Sequence, residues 1–160
     1  MQKTNQLRWV ILSLVIIIFD QASKFFVVKT LAFQQSVTWL PFINIELAYN
    51  TGAAFSFLGG AGGWQRWLFV VVAAFISICI LIWLYRAPRN DNWTACAFAF
   101  ILAGALGNLY DRVLFGNVTD FIDLHVGHIH FPALFNVADV AINIGVIMWI
   151  IAVIFRKEQR

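Results

Sequence analysis

Four long apolar runs dominate the chain. A helix needs about 20 consecutive apolar residues to cross a bilayer, and runs near that length occupy four ranges: 9–28, 67–85, 93–111 and 135–155. The second and third runs are almost free of charge, whereas the first and fourth contain acidic or amide side chains in their interior. The pattern predicts an all-α membrane protein with four transmembrane helices.

The two longest connections, residues 29–66 and 112–134, do not have the composition of ordinary loops. Residues 36–47 alternate apolar and polar side chains around Pro41, which predicts two short strands. Residues 118–131 alternate in places, which predicts extended chain. Residues 51–58 are small and aromatic and precede four glycines, a pattern that fits a short interfacial helix with a flexible exit. We therefore expect a small extended or β subdomain between the helices.

Composition supports one membrane domain over residues 1–160. Of the 160 residues, 61% are hydrophobic and only 12% are charged, so four crossings leave little length for a separate soluble domain. The net charge of +3 comes from scattered Lys and Arg, which argues against a nucleic-acid binder. Cys79 and Cys96 lie singly in apolar runs without C-x-x-C spacing, so we expect neither a disulfide scaffold nor a zinc site.

The distribution of basic residues predicts the orientation. Seven flank the termini and the connection between the second and third runs: Lys3, Arg8, Arg86, Arg89, Arg156, Lys157 and Arg160. Only three lie on the other side: Lys29, Arg66 and Arg112. The positive-inside rule therefore places both termini in the cytosol and the two long connections outside. A cleaved signal peptide at the N-terminus is the alternative, but no A-x-A-like site follows the first run.

Five of the eight acidic residues lie within or beside the apolar runs: Asp20, Asp111, Asp120, Asp123 and Asp139. An ionisable group costs roughly 2.5–3.5 kcal/mol at the centre of a membrane helix, so each needs a partner or a function. Asp20 and Lys24 are four residues apart on one helix face and can neutralise each other. Asp111 closes the third run with Arg112, and an interfacial anchor at the lipid headgroups explains it without catalysis.

Asp120 and Asp139 are harder to explain as isolated surface acids. They lie on opposite arms of one hairpin near the outer face, so their side chains can meet. Amides accompany them in sequence, at Asn117, Asn136 and Asn143. Two carboxylates among amide donors at a partly dry interface can keep one acid protonated and the other ionised, which suits the activation of water. Two unrelated interfacial acids remain the alternative.

Three histidines raise the possibility of a metal site. His125, His128 and His130 form H-x-x-H-x-H beside Asp123, but in extended chain His128 and His130 share one face while His125 points to the other. We therefore expect no bound metal and no other cofactor. The chain also lacks G-x-S-x-G, H-E-x-x-H and P-loop motifs.

Five segments resemble the bacterial lipoprotein signal peptidases, also called signal peptidase II. In the order in which that family has them, they are FDQASK at 19–24, NTGAAFS at 50–56, GALGNLYDR at 104–112, VTDFI at 118–122 and FNVAD at 135–139. Together they are specific and extend over nearly the whole chain. The departures are mild, with Ala103 where a second glycine is common and Thr119 where valine is frequent.

The resemblance implies an aspartic endopeptidase of the bacterial inner membrane. It would remove signal peptides from diacylglyceryl-modified prolipoproteins, cutting N-terminal to the lipidated cysteine, with these substrates and membrane lipids as its partners. The implied catalytic residues are Asp120 and Asp139. The implied substrate contacts are Asn50, Asn108 and Arg112. The positions implied to shape or support the site are Asp20, Lys24, Asn117, Asn136 and Ala138.

A small proton-coupled transporter, or a subunit of one, is the competing hypothesis. Asp20, Asp111 and Asp139 would then act as proton relays. Two features argue against this class: the acids cluster toward one membrane face, and no matched pair of interrupted helices is visible in the sequence.

Overall fold

Four long helices follow the four apolar runs. The structure, a computed structural model, describes residues 6–52, 62–88 and 90–157. The helices are α1 (Val10–Thr30, preceded by a 3₁₀ turn at Leu7–Trp9), α2 (Trp64–Arg86), α3 (Asn92–Leu114) and α4 (Val137–Lys157). Each is long and apolar enough to cross a membrane. The predicted fold class, an all-α membrane protein with four such helices, is confirmed.

The strands pair into one small antiparallel sheet. β1 (Ser36–Leu40), β2 (Ile43–Asn50), β3 (Val118–Val126) and β4 (Ile129–His130) lie side by side in the order β1-β2-β3-β4. Both predicted extended segments therefore form strands. The predicted short interfacial helix falls mainly on residues 53–61, which lie outside the described residues.

Small residues make α3 the central helix of the bundle. Its buried positions are largely alanine and glycine, and it packs against the other three helices. A methyl group added at Gly104 would overlap the backbone carbonyl of Ala138 in α4, and one added at Gly107 would come within 2.8 Å of an Asp20 carboxyl oxygen in α1. These close approaches bring the start of α4 and the middle of α1 against the C-terminal half of α3.

A second apolar cluster attaches the sheet to the helices. Val27 of α1, Leu47 of β2 and Phe121 of β3 are buried together. Because side chains alternate along a strand, burial of Phe121 against α1 turns the neighbouring Asp120 toward the opposite face. On that face, Asp120 contacts Asn136, the residue before α4.

Candidate active site

Asp120 lies in β3 and is almost completely buried, with 3% of its surface exposed. One carboxyl oxygen accepts a hydrogen bond from the side-chain amide of Asn50, on neighbouring β2, at 3.0 Å. The other accepts from the side-chain amide of Asn136 at 2.6 Å. Sheet pairing and the start of α4 thus supply one donor to each oxygen.

Asp139 lies in the first turn of α4, and a reciprocal cap fixes it. The Asn136 side-chain oxygen accepts from the Asp139 backbone N–H at 3.0 Å, and an Asp139 carboxyl oxygen accepts from the Asn136 backbone N–H at 3.1 Å. This is the geometry of a capping box, with aspartate at the position that glutamate usually occupies. The other Asp139 oxygen accepts from the Asn108 side-chain amide at 2.8 Å.

Asn136 therefore contacts both aspartates. It is fully buried and combines two tasks: it caps α4 around Asp139 and donates its side-chain N–H to Asp120. The structure thus brings Asp120 and Asp139 into one polar site, together with Asn50 and Asn108.

Burial and charge together set the protonation of Asp120. Desolvation, followed by the nearby Asp139 carboxylate, raises the pKa of Asp120 to about 7, although the amides of Asn50 and Asn136 act to lower it. A pair with such a pKa holds one proton over a range around neutral pH. It then offers a general acid and a general base side by side, which is what water-mediated hydrolysis of an amide requires.

Arg112 borders this site from the end of α3. Its guanidinium donates to the Gly52 carbonyl at 2.7 Å and lies 5.2 Å from the centre of the Phe69 ring. Its Nε atom is buried without a hydrogen-bond partner among the described residues. The charge of the guanidinium interacts with the carboxylates of Asp139, Asp120 and Asp111.

A buried ion cluster lies behind the two aspartates. The Lys24 ammonium is 2.8 Å from an Asp20 oxygen and 2.9 Å from an Asp111 oxygen, so the predicted Asp20–Lys24 pair is confirmed. Asp111 is only 2% exposed, and its interpretation as a headgroup anchor is wrong because its carboxylate turns inward to the ammonium. The Ala138 backbone N–H donates to Asp20 at 2.9 Å.

Gln21 is a member of this cluster that the sequence analysis missed. Its amide donates to Asp20 at 3.0 Å and to Asp111 at 2.9 Å. The helical spacing of Gln21 and Lys24, three residues apart, was the available signal, because it places both side chains on one face of α1.

Two residues of the polar connections lie apart from the aspartate pair. The Asn117 side chain donates to the Phe115 carbonyl within its own turn, at 3.3 Å. Asp123 is buried, but it accepts from Asn44 at 3.0 Å and lies 2.8 Å from a ring nitrogen of His130.

The predicted arrangement of the histidines is wrong in one respect. His125 and His130 lie opposite each other across the β3–β4 hairpin, with ring centroids 5.2 Å apart, because the chain reverses at Gly127. Within the described ranges, no group of three or more His, Cys, Asp or Glu side chains is arranged to hold a metal ion.

Comparisons with known proteins agree with this architecture. The family described as signal peptidase (SPase) II matches residues 12–155. A lipoprotein signal peptidase of Alteromonas mediterranea is 50% identical over 91% of this chain and 79% of its own, and one of Pseudomonas putida is 46% identical over 90% and 85%.

Solved structures give the same result. A bacterial membrane enzyme solved by the in meso method at 2.3 Å resolution has a TM-score of 0.87 and 32% identity, covering 100% of this chain and 96% of its own. A second, at 1.9 Å resolution, has a TM-score of 0.79 and 33% identity, covering 96% and 97%. With a match over most of its length and close relatives of similar size, this multi-pass membrane protein belongs to the signal peptidase II family.

Proposed function

We propose that the chain is an aspartic endopeptidase that removes signal peptides from diacylglyceryl-modified prolipoproteins, cutting N-terminal to the lipidated cysteine. The single observation that supports it most is the pair Asp120 and Asp139, one buried and one half-buried carboxylate joined through Asn136. The relatives named above are lipoprotein signal peptidases, which supplies the substrate class.

In the proposed reaction, the ionised aspartate takes a proton from a water molecule between the carboxyl groups. The water oxygen attacks the carbonyl carbon of the scissile amide and forms a tetrahedral intermediate. The protonated aspartate then donates its proton to the amide nitrogen as the carbon–nitrogen bond breaks. The products are a signal peptide with a new carboxylate and a lipidated cysteine with a free amine, and no covalent enzyme intermediate forms.

We assign Asn50, Asn108 and Arg112 to substrate contact because the two amides bond to the pair and the Arg112 charge interacts with it. The Arg112 guanidinium suits a developing oxyanion or a backbone carbonyl, since it is a permanent cation with fixed donors. We assign Asp20, Lys24, Asn136 and Ala138 to support of the site, on the hydrogen bonds described above. Asn117 takes a supporting role only through the turn before β3, since its side chain bonds to Phe115.

The test of the function is cleavage of a lipidated prolipoprotein by the purified protein in detergent, without an ion gradient. We expect two products, the shortened lipoprotein and the free signal peptide. The membrane serves only to position the substrate, and hydrolysis of the amide needs no ion gradient. The same protein substrate without the diacylglyceryl group is the control. Absence of cleavage of both would contradict the proposal. The comparisons give the transporter hypothesis no support.

The orientation is a further part of the proposal, with both termini cytosolic and the aspartate pair near the outer face. The supporting observation is the excess of basic residues, seven against three, on the side of the termini. We expect reporters fused near residue 90 or after Arg160 to stay cytosolic and reporters near residues 60 or 127 to be exported. A cytosolic residue 127 would contradict this orientation, because it lies in the turn beside β3, the strand of Asp120.

A further inference from the structure

The ammonium of Lys24 lies at the centre of a buried cluster that connects α1 to α3, to β3 and to the start of α4. Lys24 is 4% exposed and Asp20 is fully buried. The ammonium contacts Asp20 of its own helix, and Asp111 and Asn108 of α3. Two carboxylates around one cation give the cluster a formal charge of −1. The carboxylates are held near each other by attraction to the ammonium and by the Gln21 amide, which donates to both.

Each carboxylate of this cluster also binds the backbone amide that directly precedes one catalytic aspartate. Asp20 accepts from the N–H of Ala138, the residue before Asp139, at 2.9 Å. Asp111 accepts from the N–H of Thr119, the residue before Asp120, at 3.3 Å. One cation therefore links the two chain segments that present the pair.

The ammonium also sets the orientation of an amide in the site. An ammonium can only donate hydrogen bonds, so its contact at 3.1 Å requires the oxygen of the Asn108 side chain to face it. The amide nitrogen of Asn108 is then turned toward Asp139, to which it donates at 2.8 Å. Without the ammonium, the Asn108 oxygen keeps only the longer hydrogen bond from the Asn136 side-chain amide, at 3.3 Å, so the orientation of the amide is less firmly fixed.

We propose, building on the proposed function, that Lys24 is a positioning residue that fixes both catalytic aspartates, through Asp20, Asp111 and Asn108. Because Lys24 is buried among these groups, it acts through them and not by contact with the substrate. It holds the amides before the aspartates at a constant separation and keeps the Asn108 N–H on Asp139. A displacement of about 1 Å between catalytic groups can lower turnover by 10²-fold.

Lys24→Gln tests this role, with Lys29→Gln as the matched control. Lys29 belongs to the same helix but is exposed near its end. For Lys24→Gln we expect kcat to fall by roughly 10²-fold with a smaller change in KM, because the assigned substrate contacts of Asn50 and Arg112 do not depend on Lys24. For Lys29→Gln we expect kinetics like those of the original protein, at equal amounts of folded, inserted protein.

The pH profile distinguishes positioning from a general loss of stability. The charge of Lys24 lowers the pKa of Asp120, so its removal should move the profile of kcat to higher pH. The charged groups that face the ammonium are Asp20 and Asp111, with Asp120, Asp139 and Arg112 beyond them. A loss of folded protein alone would scale the profile down without shifting it.

A double variant tests the route through Asn108. If Lys24 acts on Asp139 through Asn108, then Lys24→Gln combined with Asn108→Ala should be less damaging than the product of the two single effects. If Lys24→Gln does not insert, Asp111→Ala takes its place, since it removes the acceptor of the Thr119 N–H and should also lower kcat more than it changes KM.

Unchanged kcat and an unshifted profile in Lys24→Gln would overturn the positioning role, as would multiplicative effects in the double variant. Failure of the unmodified protein to cleave lipidated substrate would instead contradict the proposed function. The two results are therefore distinguishable.

Discussion

Replacing either Asp120 or Asp139 by Asn is expected to lower cleavage of a lipidated prolipoprotein by roughly 10⁴-fold, the upper range for general acid–base catalysis. Asparagine has nearly the same size but cannot take a proton from water or give one to the leaving amine. Folding should survive, because a neutral amide costs less than a charge near lipid. The measurement is the rate of product formation at matched amounts of inserted protein.

The double variant and a nearby acid provide the controls. Asp120→Asn/Asp139→Asn should be no slower than either single variant, because two groups that act as one unit lose their function when the first is removed. Asp123→Asn should retain substantial activity, since Asp123 is bonded to Asn44 and His130 instead of the pair. Near-normal turnover in Asp120→Asn together with loss of turnover in Asp123→Asn would show that the assignment of Asp120 to the catalytic pair is wrong.

The helices and strands were predictable because each depends on a local pattern. The absence of water in a bilayer forces backbone groups to bond within a helix, so an apolar run of sufficient length determines a crossing. The helix α2, for example, extends over Trp64–Arg86 where the sequence predicted 67–85. Alternation around Pro41 likewise predicted the β1–β2 hairpin.

The meeting of Asp120 and Asp139 was predictable for a different reason. A chain that leaves the membrane in one helix and re-enters in the next must bring both arms of the connection to the same surface. The partners of that pair were not all predictable, because they depend on which face each element presents after packing. Asn50 reaches Asp120 only through the pairing of β2 with β3.

The buried cluster shows where sequence patterns are insufficient. Asp111 at the end of an apolar run looked like a headgroup anchor, yet the small residues of α3 allow α1 to approach so closely that Lys24 bonds to it. The prediction that His125 and His130 point to opposite faces failed because it assumed continuous extended chain, and Gly127, which lies between them, reverses the chain with a left-handed turn conformation.

Asn136→Ala is expected to have the second largest effect, because one side chain performs two tasks. Loss of the cap should destabilise the protein by about 0.5–2 kcal/mol, the usual cost of removing an N-cap asparagine. Loss of the N–H that bonds to Asp120 at 2.6 Å should lower kcat by roughly 10²-fold, as removal of one preorganised donor does in other active sites. Thermal unfolding in detergent and steady-state cleavage rates measure the two effects separately.

Asn136→Ser separates these contributions. The serine hydroxyl caps a helix about as well as asparagine, so the start of α4 and the backbone of Asp139 should keep their positions. The shorter side chain has no amide to place on Asp120, so turnover should stay as low as in the alanine variant. Asn50→Ala, which removes the donor to the other Asp120 oxygen, should lower turnover without affecting the cap. Recovery of both stability and turnover in Asn136→Ser would mean that Asn136 acts only as a helix cap, and that Asp120 does not need its amide.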